Sequence, residues 1–151
     1  IQYKILSGDA SNLSNNEDTW FFHLPDPNED ENISNPLNPH FDSLEGLAKK
    51  IAENLDAKYI AVTLGSQGAF LLDKKVNTTH KTPVLSTLVL DRVGAGDAFL
   101  SLSSLCLGTG MPPEIGLFVG SAAAALDVQV VCNREPISPV NLYKYITTLL
   151  K

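Results

Sequence analysis

Apolar positions recur at helical spacing early in the chain. Leu44, Leu47, Ala48, Ile51, Ala52 and Leu55 fall at i, i+3, i+4, i+7, i+8 and i+11, which predicts an amphipathic helix over residues 42–55. Asp42 with Glu45 three positions later fits an aspartate version of the capping box. The spacing then changes. A continuous apolar run over 59–64 predicts a buried strand and 69–72 a second; Lys74-Lys75 turns the chain toward a third near 76–79. Val84-Leu85-Ser86-Thr87-Leu88-Val89-Leu90 is rich in β-formers and predicts another strand. A glycine turn follows, then a helical stretch over 98–107 that stops at Gly108. Gly110-Met111-Pro112-Pro113-Glu114 opens a helix running to about Val128. Ser138-Pro139, an N-cap residue followed by proline, opens the last helix, with Val140, Tyr143, Ile146, Thr147 and Leu150 as its inward face. This order predicts an α/β domain around a central sheet. No internal repeat is present, which removes solenoids.

The first 41 residues read differently. Residues 1–7 fit a short strand, but from Gly8 to Phe41 Pro25, Pro27, Pro36 and Pro39 alternate with Asn28, Asn32, Asn35 and Asn38. Such composition buries little, so 1–41 is expected to be an acidic, Pro/Asn-rich loop or partly disordered segment, with 42–151 as the folded part. Trp20-Phe21-Phe22 is its one apolar patch, a strand or an anchor. Asp26, Glu29, Asp30 and Glu31 form an acidic cluster. No ligand spacing repeats in it, which favours a solvated loop over a metal site.

A chain of 151 residues is one domain's worth. Hydrophobic content of 44% with 19% charged residues describes a soluble globular protein. No apolar run approaches the roughly 20 residues needed to span a bilayer, and the N-terminus has no signal-peptide layout. Cys106 and Cys132 lack metal spacing, and Cys106 reads as a reduced core residue, so a cytoplasmic location is expected. His23, His40 and His80 share no spacing that suggests a metal site or a triad. The net charge of −6 argues against a nucleic-acid surface. It leaves a nucleotide open as ligand, because backbone N–H groups and Mg²⁺ can hold phosphates on an acidic protein.

The chemistry concentrates in Asp91-Arg92-Val93-Gly94-Ala95-Gly96-Asp97. A strand, a glycine turn and a helix start make an anion site, since unpaired N–H groups and the positive end of the helix dipole converge there. The glycines let the backbone approach a phosphate closely. Asp97 is the unusual element: a carboxylate at a place suited to negative charge, useful to an enzyme that deprotonates an alcohol beside a phosphoryl group. A bland reading stands beside it, in which Asp97 is an ordinary N-cap and the Gly-x-Gly an ordinary connection.

This run resembles the Asp-Thr-x-Gly-Ala-Gly-Asp signature of ribokinase-like (PfkB-type) carbohydrate kinases, with Arg92 in place of the usual Thr. Upstream, Thr63-Leu64-Gly65-Ser66-Gln67-Gly68 resembles the family's Thr-x-Gly-x-x-Gly segment, and Ser121-Ala122-Ala123-Ala124-Ala125 falls where the family carries an alanine-rich helix. The three agreements come in order over residues 44–151. The resemblance implies a ribokinase-like three-layer α/β/α fold, of which this chain holds the C-terminal, ATP-side part. Arg92 and the ending Asn133-Arg134-Glu135-Pro136 further resemble the heptose-kinase-like branch, often coupled to nucleotidyl transfer.

By that resemblance the chain serves an ATP-dependent sugar or sugar-phosphate kinase with Mg²⁺. Gly94, Ala95 and Gly96 would form the anion hole for the γ-phosphate. Asp97 would be the catalytic base, kept ionised by the helix dipole. Thr63, Gly65 and Gly68 would lie along the nucleotide, although the two glycines also suit a tight turn between strands. Asn133 would stand near the adenine. Asp91 with backbone near Val93 would hold a monovalent cation, and Cys132-Asn133 departs from the small residues common there. Arg92 would either pair with a phosphate or stand as an exposed cation. These kinases run to roughly 300 residues; the sugar-binding Gly-Gly motif, the β-sheet lid and the Asn-x-x-Glu element are not seen, and Asn15-Asn16-Glu17 lacks the spacing. The expected partners are nucleotide and sugar or sugar phosphate, with a homodimer or the N-terminal part of the kinase as protein partner, and no nucleic acid or membrane. The alternative is a non-catalytic nucleotide-binding or assembly module that keeps the fold.

Overall fold

The computed structural model describes the backbone of residues 2–7 and 18–23 and the chain from residue 44 to 151. The Asp42 cap, the acidic cluster at 26–31, His40 and most of the Pro/Asn-rich segment lie outside the described residues. Contacts divide the chain into two units, Ile1–His80 and Lys81–Lys151.

In the first unit, β1 (Gln2–Ser7) and β2 (Asp18–His23) precede α1 (Leu44–Leu55), β3 (Tyr59–Thr63), β4 (Ala69–Asp73) and β5 (Thr78–Thr82). The strands line up in the order β1-β2-β3-β4-β5. β1 pairs parallel with β2 and β2 parallel with β3, while β3 and β4 pair antiparallel. The sheet is therefore mixed, and Trp20, Phe21 and Phe22 fall in the strand beside β3, opposite Ile60, Ala61 and Val62.

The helical stripe does what its spacing requires. Ala48 and Ala52 of α1 pack with Ile60, Val62, Phe70 and Leu72, and Leu44, Ile51 and Leu55 close the margin. Every residue of β4 is buried, and β3 is buried up to half-buried Thr63, the signature of strands covered on both faces. The Asp73 carboxylate accepts the Lys75 N–H at 2.9 Å and the Val76 N–H at 3.4 Å, and Asn77 takes the left-handed conformation. This turn moves the third strand of the run two residues beyond its expected start.

The second unit holds α2 (Ala95–Gly108), α3 (Pro113–Asp127) and α4 (Pro139–Leu149). Phe99, Leu107 and Leu117 are buried, and so are Ser103, Ser104, Gly120, Ser121, Ala122, Ala123 and Ala125. Small residues let α2 and α3 approach closely. A Cβ built on Gly120 would stand 2.8 Å from the Ser103 Cβ and 2.9 Å from the Phe99 carbonyl oxygen. The buried Ser103 hydroxyl is satisfied within its own helix, donating to the Phe99 carbonyl at 2.5 Å.

Two expectations are corrected here. Residues 84–90 form no strand. Side chains and helix ends meet this segment's polar groups: the Leu90 N–H donates to the Val128 carbonyl at 2.8 Å, and the Tyr145 hydroxyl donates to the Leu85 carbonyl at 2.5 Å. Ser86 Oγ donates to the Leu88 carbonyl and accepts from Gln129. Leu88 and Leu90 stay more than half exposed, so β-propensity without a strand partner made an extended connection. The second correction concerns α4. Val140, Tyr143 and Leu150 are 59, 73 and 73% exposed, and Leu142, Tyr145 and Ile146 are the half-buried positions. The hydrogen bond of Tyr145 turns the helix, because a buried phenol needs a partner for its hydroxyl.

Gly120→Ala is expected to cost about 1–3 kcal/mol of stability, because its new methyl would meet backbone that cannot move aside. Gly116→Ala should cost less, since its Cβ would meet the movable Leu107 side chain at 3.2 Å and the Cys106 Cβ at an ordinary 3.4 Å. Denaturant midpoints of the two variants, compared at equal slope, check the ordering.

Candidate active site

The glycine turn is built by the chain leading into it. Leu90 and Asp91 N–H groups both donate to the Val128 carbonyl, at 2.8 and 3.2 Å, so the segment enters the turn held against the end of α3. Gly94 then takes φ 96° and ψ −19°, a conformation that favours glycine. It occupies the capping position of the 14-residue helix α2, and no side chain caps the helix. The Ala95 N–H reaches the Arg92 carbonyl at 3.4 Å, and the Ala98 N–H returns to Gly94 at 2.9 Å. A Cβ at Gly96 would meet nothing within 4 Å. The approach at Gly96 is thus clear, and the positive dipole end of α2 lies at the same turn, an arrangement that can receive phosphate.

Asp97 lies in the first turn of α2 and is exposed. The ordinary-cap reading places it at the capping position, but Gly94 holds that position and the Asp97 carboxylate makes no capping bond. Its backbone carbonyl accepts the Ser101 hydroxyl at 2.7 Å. The carboxylate therefore stands beside the open turn rather than closing it.

Asp91 has a different surrounding. One carboxylate oxygen accepts the Val93 N–H at 3.0 Å and the other the Cys132 N–H at 2.8 Å. The bonds from Val93 and then Cys132 hold its carboxyl below the ordinary aspartate value. Cys132 lies in the short turn Val131–Asn133 with φ 54° and ψ 36°. A cation at Asp91 would need further oxygen ligands around it, whereas the groups that meet the two carboxylate oxygens are the Val93 and Cys132 N–H donors, which already compensate the carboxylate's charge; this donor set is a poor fit to the cation site that the resemblance implies. For Mg²⁺, no group of three or more His, Cys, Asp or Glu side chains among the described residues could hold a metal ion. An ion carried in on the nucleotide's phosphates fits this surface, because Mg²⁺ commonly keeps waters and uses few protein ligands.

A third carboxylate, not foreseen from the sequence, ends α3. Asp127 is 7% exposed, and burial raises its pKa, with smaller contributions from the charges of Asp97 and Asp91. A signal was present: Asp127 is the only acidic residue between Glu114 and Glu135, on an otherwise apolar helix. What the sequence did not carry was that its helix ends beside Asp91 and Asp97.

Thr63, Gly65 and Gly68 belong to the first unit. Half-buried Thr63 ends β3, and the turn to β4 follows. Gly65 has φ 56° and Gly68 φ 92° with ψ −136°. The Leu64 N–H donates to the Gly68 carbonyl at 2.8 Å and the Gly68 N–H to the Gly65 carbonyl at 3.2 Å. The turn geometry alone accounts for both glycines. In the second unit Asp91, Val93, Gly94, Ala95, Gly96 and Asp97 share one segment, and Asn133 closes the turn that meets Asp91. Arg92 is exposed between them.

The structure is similar to the crystal structure of ribokinase from Thermotoga maritima, with a TM-score of 0.66 and 25% identity over 85% of this chain and 42% of that one. The fold is therefore ribokinase-like α/β. Residues 24–139 match the pfkB family of carbohydrate kinases, and the chain belongs to that family. It is 29% identical over 102 residues to the bifunctional protein HldE of Koribacter versatilis, covering 68% of this chain and 20% of that protein. It is 38% identical over 93 residues to 2-dehydro-3-deoxygalactonokinase of Haloferax volcanii, covering 62% of this chain and 29% of that protein. The chain thus spans less than half the length of each of these relatives. No helix among the described residues is long and apolar enough to cross a membrane.

The raised value of Asp127 has a measurable consequence. Folded Asp127 holds its proton to higher pH than the unfolded chain does, so the folded state is favoured in acid. That support is lost as pH rises through the folded value. Asp127→Asn cannot ionise, so its stability relative to the native chain should rise between about pH 4 and about pH 7. Denaturant unfolding at the two pH values reads this directly; an unchanged difference would contradict the burial of the charged form.

Proposed function

We propose that the protein is an ATP-dependent phosphotransferase acting on an alcohol group of a sugar or sugar phosphate, and that this chain supplies its nucleotide-side surface and its base. One observation carries the reading: an uncapped helix N-terminus with a clear approach at Gly96 and an exposed carboxylate, Asp97, in its first turn. A structural turn does not need that pairing, although a carboxylate in the first turn also favours the helix through its dipole. Phosphoryl transfer uses both halves, since charge on the transferring group needs fixed donors and the attacking alcohol needs a base.

In this reading Gly94, Ala95 and Gly96 frame the γ-phosphate with backbone N–H groups. Asp97 accepts the proton of the acceptor hydroxyl as its oxygen attacks phosphorus, and the bond to the departing nucleoside diphosphate breaks. The Val131–Asn133 turn, with Asn133, borders the base; for Thr63, Gly65 and Gly68 of the first unit the support for nucleotide binding is the family resemblance of their motif. Mg²⁺ enters with the phosphates and offsets their charge. The acceptor class is supported by family membership and by the similarity to 2-dehydro-3-deoxygalactonokinase. Such an enzyme would work in the cytoplasm, where ATP and sugar phosphates are found.

Asp97→Asn in the full-length protein should lower turnover by about 10²–10⁴ while ATP affinity, measured by calorimetry, changes little. A loss under about tenfold would remove Asp97 as the base. Nucleotide binding with no turnover on any sugar or sugar phosphate in the unsubstituted protein would favour a non-catalytic nucleotide-binding module.

A further inference from the structure

The segment before the phosphate turn is tied to the chain after α3 at three points. Leu90 and Asp91 N–H groups share the Val128 carbonyl, and the Asp91 carboxylate accepts the Cys132 N–H at 2.8 Å. The second carboxylate oxygen accepts the Val93 N–H at 3.0 Å, one residue before Gly94. One side chain thus joins the turn of Val131–Asn133 to the turn that starts α2.

Cys132 shows that the arrangement is held against a local preference. Asp56, Asn77 and Cys132 are the non-glycine residues with positive φ among the described residues. Aspartate and asparagine visit this region readily, but cysteine has no such tendency. The conformation of Cys132 turns its N–H toward Asp91. A cation-binding loop would have to present carbonyl oxygens there instead.

We propose that Asp91 is a positioning residue whose carboxylate, bound by the Val93 and Cys132 N–H groups, holds the phosphate turn in place without a monovalent cation. The positive ends of two peptide dipoles supply the compensation for the carboxylate that a potassium ion would otherwise give. The nucleotide site is then formed equally well in potassium, sodium or an organic cation. This rests on the kinase reading only in so far as the turn binds phosphate; the tie itself is independent of turnover.

The test uses the full-length protein in potassium, sodium and tetramethylammonium chloride at equal ionic strength. Melting temperature without nucleotide and ATP affinity with Mg²⁺ are read in each salt, for the unsubstituted protein and for Asp91→Asn. Melting temperatures that coincide across the salts, with ATP affinities within about twofold, support the proposal, because a cation bound only to the folded state would raise stability in its own salt. Asp91→Asn keeps a single carbonyl acceptor, and it should weaken ATP binding about tenfold or more by the same factor in every salt. A potassium-specific rise in melting temperature or a potassium-specific gain in ATP affinity, abolished in Asp91→Asn, would overturn the proposal. If Asp91→Asn fails to fold, the salt series on the unsubstituted protein decides alone. A protein that melts alike in all salts but binds no ATP in any of them would sink the kinase reading and leave the cation-free tie supported.

Discussion

The close approach of α2 and α3 is the constraint on which the rest of the second unit depends. Glycine at position 120 brings the two backbones together over Ser103 and Phe99. That contact fixes where α3 ends, and the end of α3 supplies the Val128 carbonyl to Leu90 and Asp91. A slip of one residue along α3 would move the carbonyl about 1.5 Å, enough to take a 2.8 Å hydrogen bond out of range. The entry to the phosphate turn is therefore aimed by helix packing more than by its own sequence. Small residues serve this end better than large ones, because a bulky core would set the helices farther apart.

Three carboxylates near the turn have three environments, and the differences separate their roles. Asp91 is satisfied by two N–H donors, which favour its charged form. Asp127 is buried at a helix C-terminus beside two other acids, which disfavours its charge. Asp97 is exposed beside the open helix start. The first therefore acts as a tether and the second as a local destabiliser near neutral pH. The third, exposed in the first turn of α2, is the one to which the role of base is proposed.

Much of the fold was legible where local signals agreed. The stripe from Leu44 to Leu55, the apolar runs of β3 and β4, the prolines at Pro113 and Pro139 and the glycine turn all read correctly from spacing and turn chemistry. The errors share one cause. Val84, Leu88, Val89 and Leu90 have strand propensity, but a strand needs a neighbour with free backbone groups, and their neighbours are a helix end and a tyrosine hydroxyl. On α4 the apolar positions are spread widely enough that spacing allowed more than one face, and Tyr145 chose between them. Asp127 escaped notice because burial and proximity to Asp91 and Asp97 are not properties of its sequence neighbours.

The sequence by itself determined the glycine turn, since Gly94 is needed for a positive φ and the residues after it start a helix under purely local rules. It also determined the family, because Asp91, Gly94, Ala95, Gly96 and Asp97 stand in order and at the right spacing. Tertiary structure alone decided what those residues face. Whether Asp91 meets a cation or N–H donors depends on which way the peptide at Cys132 points, a choice made 41 residues away. Local rules act over a few residues along the chain, while the electrostatic partner of a carboxylate is set by whatever the packing of α3 brings within about 3 Å.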